Sequence, residues 1–162
     1  MKFLDETLEE TLLVALLAAM TFLIGLQVFM RYVMEASLTW SEELARYLFI
    51  WATYIGVSYG VRLQAHIRVT AWSDMLPPRG RIWLRILIHL IFAGFAGLVI
   101  WEGAKLTSKI HGFGQTSSSL GIPMAYVYAA PAVGFALVIL RIAQQVARDV
   151  ALLRRDDPGA GT

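Results

Sequence analysis

Between Glu10 and Arg31 the chain reads Thr11-Leu-Leu-Val-Ala-Leu-Leu-Ala-Ala-Met20-Thr-Phe-Leu-Ile-Gly-Leu-Gln-Val-Phe-Met30, twenty residues without a charge. As a helix this run measures about 30 Å at ~1.5 Å per residue, the thickness of a bilayer's hydrocarbon core. Its apolar residues lie on nearly every face, whereas a surface helix of a soluble bundle carries a stripe. The flank is acidic (Asp5, Glu6, Glu9, Glu10) and no small-residue cleavage site follows. Both features differ from a cleaved signal peptide, so the run is expected to be retained as a span.

The rest of the chain has the same character. Of 162 residues, 57% are hydrophobic and 16% charged, with a mean hydropathy of +0.60. Soluble domains average roughly 45–50% apolar and ~25% charged. There is no cysteine, which excludes disulfides, thiolate metal sites and cysteine catalysis. A net charge of +2 without a clustered basic face gives no footprint for nucleic acid.

Three more runs follow. Tyr47–Val61 and Ile86–Trp101 lie between charges, and Ile122–Leu140 forms the apolar part of the last run. The middle two are short for a span of about 20 residues but gain length at their ends. Trp83 and Trp101 bracket the third run eighteen residues apart, roughly 27 Å of helix, with both rings expected at the interfaces. Thr39-Trp-Ser-Glu42 has the form of a capping box, with Thr39 as N-cap, so the second helix is expected to start near Trp40. The expected architecture is an all-α integral membrane protein: one domain over 1–162, spans near 11–30, 41–62, 83–102 and 122–141, and short interfacial helical segments. The tail 155–162 is expected to be disordered.

Lysine and arginine number ten on the side of the two termini and the second loop, against four on the other side. This places both termini in the cytoplasm. In the second loop, Ile67, Trp72, Met75 and Leu76 make the apolar side of an expected interfacial helix ended by Pro77-Pro78. Trp72 is read as an anchor with Trp83 and Trp101. The Gly- and Ser-rich third loop, 112–121, reads as irregular and exposed. Ile122-Pro123 then restarts a helix with proline in its first turn, and Pro131 is expected to kink it.

Candidate functional residues are few. Small residues at Ala52, Gly56 and Gly60 make a seam for close helix approach, either to a partner subunit or within this unit. Ala93/Gly97 and Ala130/Gly134 offer further seams. His66 and His89, near one end of neighbouring antiparallel helices, allow a haem ligation reading; the plainer one is hydrogen bonding at His89 and headgroup contact at His66. Arg31, Glu35, Glu42, Glu43 and Arg46 form a charged outer rim with Trp40 beside them, read as a partner surface or as interfacial anchoring and local pairing. The centres of the spans carry no charge, and no catalytic, paired-carboxylate or phosphate-loop arrangement appears. An enzyme and a self-sufficient transporter are both disfavoured.

Three stretches together resemble a known family. They are Arg31-Tyr32 with Leu38-Thr-Trp-Ser-Glu-Glu-Leu-Ala-Arg46-Tyr-Leu-Phe-Ile-Trp51, then Gly56 through His66-Ile-Arg-Val69, then Ser119-Leu-Gly-Ile-Pro-Met124 with Tyr128, Pro131 and Gly134. This is similar to the small, DctQ-like membrane subunit of tripartite ATP-independent periplasmic (TRAP) transporters. An acidic residue is expected after His-Ile-Arg-Val, and here Thr70 stands in its place. The resemblance implies a scaffold subunit in a bacterial inner membrane, with no cofactor or metal of its own. Its implied partners are a large multi-helix membrane subunit holding substrate and sodium sites, and a periplasmic binding protein delivering an organic acid. The alternative is a haem-bearing anchor of a respiratory enzyme.

Overall fold

The computed structural model describes the backbone of residues 2–63 and 77–155, and the side chains of 9–63, 77 and 80–151. Its elements are α1 (Lys2–Tyr32), α2 (Thr39–Arg62), α3 (Pro78–Gly112), the short α4 (Ala125–Tyr128) and α5 (Ala130–Arg155). Three stretches are long and apolar enough to cross a membrane: Glu9–Tyr32, Gly80–Gly112 and Ala125–Ala151. The interfacial helix expected over 66–76, with His66, Thr70 and Trp72, lies outside the described residues. So does the tail from 156; Arg155, expected in that tail, ends α5.

The helices form an open row. α1 packs on α2, α2 on α5, and α5 on α3, while α2 and α3 make no substantial contact among the described residues. The inward stripe of α5 follows steps of three and four: Ala130, Gly134, Val138, Ile142, Gln145 and Asp149, with Phe135 and Arg141 beside them. Val61, Ala96, Phe135, Val138 and Ile142 make the apolar core. α3 buries Ile86, His89 and Ala96 against α5 and turns Trp83, Leu87, Leu90, Leu98 and Trp101 outward. Both tryptophans of α3 therefore lie on its outer face, more than 60% exposed.

Two close approaches set the spacing of the row. A Cβ at Gly134 would sit 2.6 Å from Tyr54 Cβ and 2.9 Å from the Tyr54 carbonyl oxygen, so only a hydrogen fits there. At Gly103 a Cβ would meet Ala132 Cβ at 3.4 Å. At the expected seam, a Cβ on Gly56 would meet only the tip of Leu13, at 3.9 Å, among the described residues. A tighter seam runs through Ala130 and Gly134, where α5 meets the Tyr54 backbone of α2.

Three local expectations are corrected. α2 starts at Thr39 with Leu38 as N-cap and no side-chain cap. The Ser41 hydroxyl instead donates to the Leu38 carbonyl at 2.8 Å, and Glu42 turns to Arg46. The third loop is not irregular throughout. Residues 115–124 close into a narrow hairpin through Ser117 N–H to Ile122 O (2.9 Å) and Met124 N–H to Gln115 O (2.9 Å). Pro123 pairs with Thr116 in that hairpin, so helix restarts only at Ala125. Finally, near Pro131 the helix is interrupted only at Ala129, between α4 and α5, where the backbone stays helical. Proline has no N–H for the carbonyl one turn back. Beside this interruption, the Thr107 hydroxyl of α3 sits between the carbonyls of Gly103 (2.7 Å) and Tyr128 (2.9 Å).

Gly134→Leu is expected to lower the thermal midpoint of the purified subunit, with overpacking typically costing ~1–3 kcal/mol. Gly97→Ala, whose Cβ would meet nothing within 4 Å, should be neutral or slightly stabilising, since alanine is favoured over glycine in helices by roughly 0.5–1 kcal/mol. Melts in detergent, followed by circular dichroism, compare the two.

Candidate functional site

Because α2 and α3 both lean on α5 without meeting, a groove lies between them with α5 as its floor. Tyr47, Ile50, Tyr54, Val57 and Val61 form one wall, a single face of α2 in steps of three and four. Near the loops the groove opens as a cleft of about 690 Å³, which Glu43, Arg46, Gln115 and Ser118 also line. Farther along it is apolar, about 710 Å³, with Ile88, Ile91, Phe92 and Phe95 on the α3 side. Phe135 stands on the floor, with its ring centroid 6.3 Å from Tyr54 and 5.8 Å from Phe95.

The outer rim lies at the mouth of this groove and divides in two. Glu43 is engaged within the chain: it accepts from the Tyr47 hydroxyl and from the Ser119 N–H at 2.8 Å, clamping the hairpin to α2. The Tyr47 hydroxyl also lies 3.3 Å from Met124 Sδ. Arg46 and Glu42 face outward, 3.1 Å apart, with side chains 65% and 60% exposed. Glu42 also accepts from Gln27 of α1 at 3.4 Å. Arg31 and Trp40 are exposed nearby. Gly56 and Gly60 are half-buried farther down α2. The rim residues are thus brought to one end of the row, but only Glu43 and Arg46 line the cleft.

At the opposite end the sequence reading missed a second polar group. Glu9 and Arg141 are buried and paired, Arg141 Nε lying 3.1 Å from Glu9 Oε1. The same carboxylate oxygen accepts from the Ser58 hydroxyl at 3.0 Å, and Arg141 Nη1 donates to Gln144 at 2.8 Å. Gln145 Nε2 donates to the Val61 carbonyl at 2.7 Å, in the last turn of α2. Arg85 Nε donates to Asp149 Oδ2 at 2.8 Å, joining α3 to α5. His89, fully buried, lies among Gln145, Asp149 and Arg85. Its ring is enclosed by helix packing, which lends no support to a haem ligand. Glu9 and Arg141 read as flanking charges in the sequence. What marked them was the position of each on its helix: Arg141 on the same stripe as Val138 and Ile142, and Glu9 one turn before Leu13.

Comparison with known proteins completes the picture. Residues 11–152 match the DctQ component family of tripartite ATP-independent periplasmic transporters. The chain belongs to the DctQ family. It is 30% identical to a putative TRAP transporter small permease protein of Haemophilus influenzae over 84% of this chain and 83% of that one. It is 27% identical to the sialic acid TRAP transporter small permease protein SiaQ of Vibrio cholerae, over 93% of this chain and 83% of that one. The isethionate TRAP transporter permease protein DctMQ of Oleidesulfovibrio alaskensis is 31% identical over 98% of this chain, yet the chain spans only 26% of that relative. The DctQ chain is therefore a membrane-embedded transporter component, not an enzyme.

The two ends should respond differently to charge removal. Asp149→Ala deprives Arg85 of a buried partner and is expected to lower the thermal midpoint by several degrees. Arg85 keeps some access to water, so the loss should stay below the ~3–5 kcal/mol typical of a fully stranded charge. Glu102→Ala breaks an exposed pair with Lys105 and should leave the midpoint unchanged, as such pairs are worth ~0–1 kcal/mol.

Proposed function

We propose that this chain is the small scaffold subunit of a sodium-coupled TRAP importer for an organic acid, in a bacterial inner membrane. It works with a large membrane subunit and a periplasmic binding protein. The observation that carries this reading is the groove. Its deep part is walled by apolar side chains, and no charge lies between the polar groups at its two ends. Such a row has surface for another membrane protein and lacks the ionisable groups at depth that a transport pathway needs. The chain also matches 26% of the isethionate permease and 15% of the sialic acid permease SiaT, which supports a larger permease as the natural neighbour of this region.

In this reading the domain is one unit and α2 is a fourth span. Its first two turns carry Glu42, Glu43 and Arg46, which lowers its average hydropathy, but α1 and α5 flank it on both sides. Trp83 and Trp101 anchor α3 at the two interfaces. The ten-to-four bias of basic residues puts the Glu9–Arg141 end at the cytoplasm and the hairpin outside. Arg31, Trp40, Glu42 and Arg46 then meet the large subunit at the outer rim, with Gly56 and Gly60 along the same helix and Glu43 holding the hairpin that completes the surface.

Two measurements test this. A cysteine at Ser118 should be labelled by an impermeant thiol reagent in intact spheroplasts, and one at Gly80 should not; the reverse pattern overturns the orientation. Arg46→Ala should leave the isolated subunit nearly unchanged, because a solvated i,i+4 pair contributes only ~0.3–0.5 kcal/mol. In the reconstituted complex the same substitution should sharply reduce recovery of the large subunit and sodium-driven uptake, as a buried intersubunit charge is left without its partner. Recovery and uptake at the unsubstituted level would remove Arg46 from the interface.

A further inference from the structure

We propose that α1 is a separately seated helix, latched onto the row by the Glu9–Arg141 pair, and that the α2–α5–α3 core keeps its packing when that latch is opened. The inference starts from what ties α1 to the rest of the row. Only 6% of its apolar window is buried inside the structure, and its one substantial helix neighbour is α2. Its inward stripe (Leu13, Leu16, Met20, Leu23) is built from large side chains, and Gly25 has nothing within 4 Å of its would-be Cβ. Neither Gly25 nor Gly56 gives this contact the close backbone approach seen at Gly134. Between helices in lipid the apolar effect gives no drive for association, because acyl chains are as apolar as leucine. Side-chain packing on α2 and specific polar contacts must then fix α1.

Two such contacts are present among the described residues. At the loop end, Gln27 donates to Glu42 at 3.4 Å in an exposed setting. At the other end, Glu9 is buried, receives the Ser58 hydroxyl, and is met by Arg141 from α5. Ser58, fully buried itself, is small enough to leave α2 open at that level, so a side chain of α5 reaches past it to α1. The pair thus ties α1 to its second neighbour across its first. The core has independent fastenings: Gly134 against Tyr54, Gly103 against Ala132, Gln145 to Val61, and Arg85 to Asp149. None of these passes through α1.

The chain has no cysteine, so introduced pairs report cleanly in native membranes. Leu13→Cys with Gly56→Cys reports the α1–α2 seat, and a short bifunctional thiol reagent should join them. Gly103→Cys with Ala132→Cys reports the α3–α5 core. Arg141→Gln should cut the first cross-link several-fold and leave the second unchanged. Glu9→Gln should do the same from the α1 side while keeping the side chain's shape. Combining Glu9→Arg with Arg141→Glu should restore the first cross-link. The proposal is overturned by a first cross-link that survives Arg141→Gln, by loss of both cross-links together, or by failure of the reversed pair to restore the seat.

Discussion

The row of helices depends on one contact. Tyr54 of α2 occupies the space that a side chain at position 134 of α5 would need. In lipid, helices gain nothing by hiding leucine from acyl chains, so association rests on close packing and hydrogen bonds. Gly134 permits the first, and its neighbours in steps along α5 supply both. Ala130 and Val138 pack at full burial, then Arg141, Gln145 and Asp149 carry polar fastenings to α1, α2 and α3. α5 is therefore the helix to which the other three long helices are fastened.

Placing one helix in the middle has a consequence for shape. With α2 and α3 on either side of α5 and without substantial contact among the described residues, the groove holds a cleft at the loop end and an apolar hollow farther along. A closed bundle would have filled that space with its own side chains. Here Phe95, Phe135 and Tyr54 only partly fill it. The same geometry leaves the outward faces of α1 and α3 largely apolar, with Phe22, Trp83, Leu98 and Trp101 each more than 60% exposed. A surface of this kind suits lipid and a membrane partner, and it fits the DctQ family to which the chain belongs.

Among the described residues, charged groups are confined to the two ends and serve different purposes there. At the loop end Glu43 gathers Tyr47 and Ser119 and so shapes the hairpin, while Arg46 and Glu42 remain solvated. At the other end the charges are buried and compensated, since an ion taken from water without a partner costs several kcal/mol. A solvated pair can exchange partners at small cost. A buried one fixes register. The outer rim is accordingly the end suited to meeting another protein, and the inner group the end that holds the chain together.

The sequence alone determined the medium and the long helices. Twenty uncharged residues at 11–30, tryptophans at 83 and 101, and the absence of cysteine leave helices in a bilayer as the outcome, because lipid tolerates only backbones that satisfy their own hydrogen bonds. The Trp-Ser-Glu-Glu-Leu-Ala-Arg block carried the family. Tertiary structure decided which small residues touch and which charges are buried. Gly56 and Gly134 sit in similar small-residue patterns, and only their neighbours distinguish them: a leucine tip at 3.9 Å in one case, a tyrosine backbone at 2.9 Å in the other. Glu9 and Arg141 stand 132 positions apart. Their pairing depends on α5 lying next to α2, and hydrophobic periodicity sets which face of a helix turns inward without setting which helix it meets.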